Sequence, residues 1–111
     1  MNKFNVKYIL IVISINFIFS AYLKNIAISL NQPDGTLINC FTSGDEFYHY
    51  LHDENDFTII QNKEDGYYYY AVRWNDSIIP SDYLVNEVNP NSVGIEKNIL
   101  ISKNQYLEKL V

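Results

Sequence analysis

Cys40, His49 and His52 are the side chains in this sequence that could ligate a metal, and acidic residues stand close by at Asp45, Asp53 and Glu54. Read as part of a helix, His49 and His52 lie at i and i+3 and project to one side. A zinc protease motif needs two histidines at i and i+4, with a glutamate directly after the first to polarise the metal-bound water. Here Tyr50 follows His49 and the spacing is short by one. The plainer reading makes both histidines surface or helix-end residues, His52 being favoured in its protonated form near a helix C-terminus. Cys40 has a sharper alternative, because a thiolate can occupy the open position of a catalytic zinc. In Leu37-Ile38-Asn39-Cys40-Phe41, however, Cys40 shares a strand face with Ile38, so a packed thiol is expected. A zinc-directed thiol or an intermolecular disulfide are the alternatives. Cys40, His49 and His52 are therefore weak metal candidates, and neither a metal nor another cofactor is expected in this chain.

A second group is aromatic. Tyr67, Tyr68, Tyr69 and Tyr70 run straight into Ala71-Val72-Arg73-Trp74. On a strand, Tyr68, Tyr70 and Trp74 point one way and Tyr67 and Tyr69 the other. One set is expected in the core. Tyr68, Tyr70 and Trp74 form the candidate partner-contacting face, since exposed aromatics stack on sugars and populate interface centres. Cross-strand stabilisation alone is the alternative. The carboxylates are numerous but fall at turns and caps. No Ser/His/Asp or Cys/His pattern, phosphate loop or dinucleotide fingerprint is legible, so no catalysis is expected of this chain.

The elements that must position these residues follow from periodicity and turn chemistry. Asn25–Leu30 alternates, Gln32-Pro33-Asp34-Gly35 supplies a turn, and Leu37–Thr42 returns, which predicts a hairpin. Ser43 followed three residues later by Glu46 reads as a capping box opening a short helix over 45–52, with Phe47, Tyr50 and Leu51 as its buried stripe. Three strands follow, Phe57–Gln61, Tyr67–Trp74 and Ile78–Pro80, as an antiparallel meander; Pro80 cannot donate to a ladder, which places the last strand at an edge or ends it there. Ser102 and Gln105 form another capping box, opening a helix that the chain end cuts short. The fold class is α+β: a small antiparallel β-sheet (hairpin plus meander) with one short helix.

Ahead of it, Lys3 and Lys7 precede an apolar run from Tyr8 to Ala21, the layout of an export signal. Only 16 residues separate Lys7 from Lys24, fewer than the roughly 20 that cross a bilayer as a helix. The expected organisation is a signal peptide over 1–21, a small domain over 22–95, and over 96–111 the start of a linker or helix leading to a further, absent domain. The membrane would then be met only during export, and the expected location is secreted or extracytoplasmic. Removing residues 1–21 takes away two lysines and no acids, lowering the formal charge from −5 to −7. With no Lys/Arg cluster to neutralise phosphates, nucleic acid is excluded as a partner. With one cysteine, no intramolecular disulfide can form, and stability has to come from packing.

Three stretches together resemble a known region: Gln32-Pro33-Asp34-Gly35-Thr36; Cys40-Phe41-Thr42-Ser43-Gly44-Asp45-Glu46-Phe47-Tyr48-His49-Tyr50-Leu51-His52-Asp53; and Phe57–Gln61 with Gly66-Tyr67-Tyr68-Tyr69-Tyr70-Ala71. They are similar to the N-terminal segment that precedes the catalytic domain in secreted zinc metalloproteases of the immune inhibitor A type. The resemblance covers about residues 28–90. It implies a pro-region or accessory segment with a folding, latency or docking role, whose partner is a metalloprotease catalytic domain in cis or in trans. Zinc is implied for that absent domain, and no catalytic residue carries over to this chain. The rival expectation is a freestanding binding module whose tyrosine-rich sheet holds a glycan or a protein. Mass spectrometry of exported protein is expected to find an N-terminus just after Ser20 or Ala21, and material retaining Met1 through Lys24 would reject the cleavage.

Overall fold

The structure, a computed structural model, describes residues 22–111, so the expected signal peptide lies outside the described residues. Six strands run as one antiparallel meander in sequence order: β1 (Leu23–Asn31), β2 (Leu37–Gly44), β3 (His49–His52), β4 (Thr58–Gln61), β5 (Tyr68–Trp74) and β6 (Ser77–Leu84). A 3-10 turn at Pro90–Val93 and a helix, α1 (Lys103–Lys109), complete the chain. The architecture is the expected small α+β fold, mostly β. Ser102 caps α1 through the expected box, its side chain accepting from the Gln105 amide while the Gln105 side chain accepts from the Ser102 amide. Among the described residues no helix is long and apolar enough to cross a membrane.

The helix expected over 45–52 is a turn followed by strand β3. Two local forces decide this. The Asp45 carboxylate accepts hydrogen bonds from the amides of Phe47 and Tyr48, while the Asp45 amide donates to the Tyr48 carbonyl, which closes a tight turn instead of starting a helix. The residues beyond it, Tyr48-His49-Tyr50, are poor helix formers and good strand formers. Ser43 is therefore no cap. It lies in β2, opposite Tyr50 of β3.

Period-2 alternation sorts the side chains onto two faces. On the first, Ile28 and Leu30 of β1 stand opposite Cys40 and Ile38 of β2, and Ile59 of β4 stands opposite Tyr70 of β5. These residues, with Phe57, Val85 and Ile95, make up the core cluster. Phe57 and Ile38 are its largest fully buried side chains, and burial of a side chain of that kind contributes about 1.5–3 kcal/mol. On the second face Phe41 and Thr58 flank His52, and Ser43 pairs with Tyr50.

Each face is covered by the C-terminal segment in turn. Val85, Val93 and Ile95 pack on the first. The chain then passes around the β3–β4 turn, where the Asn98 amide donates to the Asp56 carbonyl at 2.9 Å. On the second face Thr58 Oγ1 donates to the Ile99 carbonyl, Arg73 donates to the Leu100 carbonyl, and the Tyr106 hydroxyl donates to Asp45. Residues 98–106, expected to begin a linker or helix, thus lie on the same sheet that residues 22–95 build.

The sheet also curls. The Gln32 side chain, buried in the β1–β2 turn, donates from Nε2 to the Tyr68 carbonyl and accepts at Oε1 from the Tyr68 amide, at 3.1 and 2.8 Å. It gives the Tyr68 amide its partner, shares the Tyr68 carbonyl with the Val85 amide, and ties the tip of the first hairpin to the fifth strand.

Gly44, where β2 enters its turn, has φ near +130°, and a Cβ there would sit 2.2 Å from the Tyr48 carbonyl oxygen. Gly44→Ala is expected to cost about 3 kcal/mol or more, combining backbone strain with overlap that no side chain can relieve. Gly35→Ala, at φ +89° but in open space, should cost about 1–2 kcal/mol. Urea denaturation of both variants checks the order.

Candidate functional site

The second face gathers the groups that sequence reading scattered. His52 is buried, and its Nδ1 lies 2.8 Å from the Asp53 carbonyl. A carbonyl can only accept, so Nδ1 donates to it, and in the neutral ring Nε2 is then an acceptor. Ser43 Oγ lies 2.8 Å from that Nε2 and accepts a hydrogen bond from the Asn25 amide at 2.9 Å. Facing the neutral ring, the hydroxyl donates to Nε2. The Asp56 carboxylate stands 3.8 Å from Nδ1. A serine, an imidazole and an acid are thus brought together, an arrangement the sequence does not announce because Ser43, His52 and Asp56 follow no motif spacing. The strand pairing Ser43–Tyr50 sets His52 two residues along the same face, and only knowledge of that register could have found it.

What this constellation does in the folded chain is hold. Ser43 is only 2% exposed and His52 3%, so there is no room at Oγ for a carbonyl carbon to approach. Both ring nitrogens and the hydroxyl are already engaged. The ring of His52 stacks on Phe41 at 5.9 Å and lies 5.4 Å from Tyr50. The hydrogen bonds join β1, β2 and β3 on the face where Thr58, Arg73 and Tyr106 also make polar contacts.

The sequence candidates fall differently. His49 and His52, an odd number of residues apart on a strand, point to opposite faces, and His49 is exposed. The spacing that would unite them on a helix separates them here. Cys40 is buried on the first face beside Ile38, as its alternation predicts, and burial pushes its thiol above the ordinary range. That thiol is poorly placed to meet a metal in another domain. Among the described residues no three His, Cys, Asp or Glu side chains converge to hold a metal ion.

The tyrosine face is inverted relative to expectation. Tyr68 and Tyr70 point into the core, Tyr70 being 4% exposed and set edge-on to Phe57. Tyr69 points to the other face, where its hydroxyl bonds the Asp65 carboxylate. Trp74 has the same parity as Tyr68 and Tyr70 but sits at the end of β5, past the segment that covers them, and is 65% exposed. Tyr68, Tyr70 and Trp74 therefore make no common platform. Period two fixes which side chains share a face, while the position of Val85–Ile95 decides which face is covered.

The aspartates serve as turn acceptors. Asp34 receives the Thr36 amide, Asp53 those of Asn55 and Phe57, and Asp65 that of Tyr67. The Tyr106 hydroxyl, with the Tyr48 and Phe47 amides, holds the Asp45 carboxyl below its usual value. Around Asp45 a second aromatic group forms, with Tyr48 stacked on Tyr50 at 5.8 Å and Tyr22 hydrogen-bonded to Tyr50. Comparison of the chain with protein-family models, with curated proteins and with solved structures found no match.

Ser43→Ala is expected to cost about 1–3 kcal/mol, because it strands both the Asn25 amide and His52 Nε2 in a buried setting. Urea denaturation measures it, and a cost near zero would mean that the hydroxyl bridges nothing. Burial raises the phenol pKa values of Tyr48, Tyr50 and Tyr70, with the Tyr22 hydrogen bond adding to the shift at Tyr50 and the Asp53 charge adding to it at Tyr70. A raised phenol pKa favours the folded state while the phenol is neutral. This stability is present below the unfolded value of about 10 and is lost as pH rises toward the folded values. Thermal melts between pH 8 and pH 11 should show Tm falling on the alkaline side, less steeply in Tyr50→Phe.

Proposed function

We propose that this chain is an exported pro-region or accessory segment of a metalloprotease-like protein, acting through its surface as a docking, latency or folding element and performing no catalysis itself. The observation that carries this reading is where its reactive groups and its exposed apolar groups lie. Cys40, Ser43 and His52 are all buried. Tyr22, Leu23, Ile26 and Phe47, by contrast, stand exposed around β1 and the turn after β2. A module of this kind offers shape and hydrophobic surface to a partner.

The residues behind the resemblance to immune inhibitor A-type N-terminal segments support the same reading. Gln32 of the Gln-Pro-Asp-Gly-Thr stretch braces β5, Ser43-Gly44-Asp45 builds the β2–β3 turn, and His52-Asp53 carries the buried imidazole and its turn. Each has a scaffolding task, as expected of sequence shared for the sake of a fold. Partner, zinc dependence of the partner domain and extracytoplasmic location all come with this proposal.

The exported protein should bind a purified H-E-x-x-H protease domain of this type with saturable affinity. Ile26→Lys should weaken that binding by at least about 2 kcal/mol if Ile26 is a hot spot, while Cys40→Ser should leave it unchanged in molecules that remain folded. Surface plasmon resonance reads both. Saturable binding to a glycan array with none to the protease would move the protein to the rival class of freestanding binding modules.

A further inference from the structure

We infer that the cleft between the β3–β4 turn and the segment after β6 binds a neutral sugar, one pyranose ring of a glycan seated over the first face. This goes beyond the docking reading and does not rest on it, since none of Tyr22, Leu23, Ile26 and Phe47 lines the cleft.

The hollow measures about 780 Å³, within the range of about 300–1,000 Å³ usual for small-molecule sites. Its floor is the first face of the sheet, where Ile28 and Tyr70 line it. The β3–β4 turn contributes Asp53, Glu54 and Asn55 to one wall, and the chain leaving β6 contributes Asn86 and Asn89 to the other. Two segments far apart in sequence thus set polar side chains around a floor that is part apolar. The observation that points to a ligand is Tyr70. It is 4% exposed, with its ring edge-on to Phe57, yet its side chain reaches the hollow. The Asn86 amide is directed at the hydroxyl oxygen, and among the described residues nothing takes the hydroxyl proton. A buried phenol held in this way presents an unpaired donor to whatever fills the cleft.

The groups beside it select the occupant. Asp53 commits Oδ1 to the Asn55 and Phe57 amides, which leaves Oδ2 as an acceptor, and the exposed Glu54 carboxylate adds more. Asn89 commits its Oδ1 to the Asn91 amide, so what it offers is the Nδ2 donor. Donors and acceptors therefore stand side by side. An anion is opposed by the two carboxylates, and no Lys, Arg or His is among the lining residues to hold it. An ammonium or guanidinium group would meet the carboxylates but can accept nothing from Tyr70 or Asn89. A wholly apolar ligand would strand both kinds of group. A sugar hydroxyl donates and accepts at once. The neighbouring hydroxyls of a pyranose present paired donors to a carboxylate, and its ring C–H groups can rest on Ile28.

The test titrates the exported protein with cellotriose, maltotriose, mannotriose and triacetylchitotriose in turn, followed by amide proton–nitrogen correlation spectra. At least one sugar should give saturable shifts centred on residues 53–55 and 86–90. With that sugar, Glu54→Gln, which removes a charged acceptor, should weaken binding roughly tenfold or more. Tyr70→Phe keeps the ring on Phe57 and should weaken it roughly two- to tenfold. Tyr69→Phe, on the other face, should leave it unchanged. Undiminished affinity in folded Glu54→Gln and Tyr70→Phe, or saturable shifts confined to another part of the surface, would overturn the site. Absence of shifts with all four sugars would overturn it as well. Shifts at the cleft with agmatine and none with the sugars would give the cleft to a basic side chain and overturn the sugar assignment.

Discussion

The hydrogen bond from the Asn98 amide to the Asp56 carbonyl marks the point on which the architecture depends. A single curled sheet has two faces, and in a chain of this size both must be covered by whatever residues the strands leave over. Here one segment does both tasks, crossing from the first face to the second around the β3–β4 turn. Asp56 and Asn98 both adopt positive φ, +69° and +57°. Asparagine and aspartate tolerate that conformation better than other residues with a side chain. The crossing is therefore built from the residue types that permit the sharp change of direction it requires.

The two covered faces divide the chemistry. The first holds an apolar cluster around Ile38, Phe57 and Ile59, in which Cys40 behaves as a small hydrophobe and Tyr70 as a large one. The second contains buried polar groups, Ser43, His52 and Thr58, and each has a partner. A buried polar group without a partner is costly, and one with all its hydrogen bonds made fixes register. The Ser43–His52 pair fixes how β1, β2 and β3 lie against one another, while Thr58 fixes the returning segment. The components of an acid–base relay thus appear as fasteners, because burial removes the substrate approach that such a relay would need.

Under the proposed function, with Cys40, Ser43 and His52 buried, the molecule would act through its surface. The exposed apolar residues Tyr22, Leu23, Ile26 and Phe47 cluster around β1 and the turn after β2. Under the proposed pro-region reading, that cluster is the surface a partner would meet.

The sequence by itself determined the class of fold, the Gln32–Thr36 turn, the strand at Tyr68–Trp74, the edge position of Pro80 and the cap at Ser102. All of these follow from local turn chemistry, period-two alternation and capping, which act over a few residues. It also determined that Cys40 shares a face with Ile38. Only the tertiary structure decided the rest. Ser43 and Glu46 have the spacing of a helix cap, but Ser43 is claimed by His52 and Asn25, and Asp45 closes a turn by accepting from the Phe47 and Tyr48 amides; the strand pairing of β2 with β3 outweighs a local signal of about 1 kcal/mol. Alternation grouped Tyr68, Tyr70 and Trp74 correctly yet could not say which side would be covered, since that depends on a segment more than ten residues away along the chain. The meeting of Ser43, His52 and Asp56 likewise depends on cross-strand register, a long-range property that no spacing in the linear chain encodes.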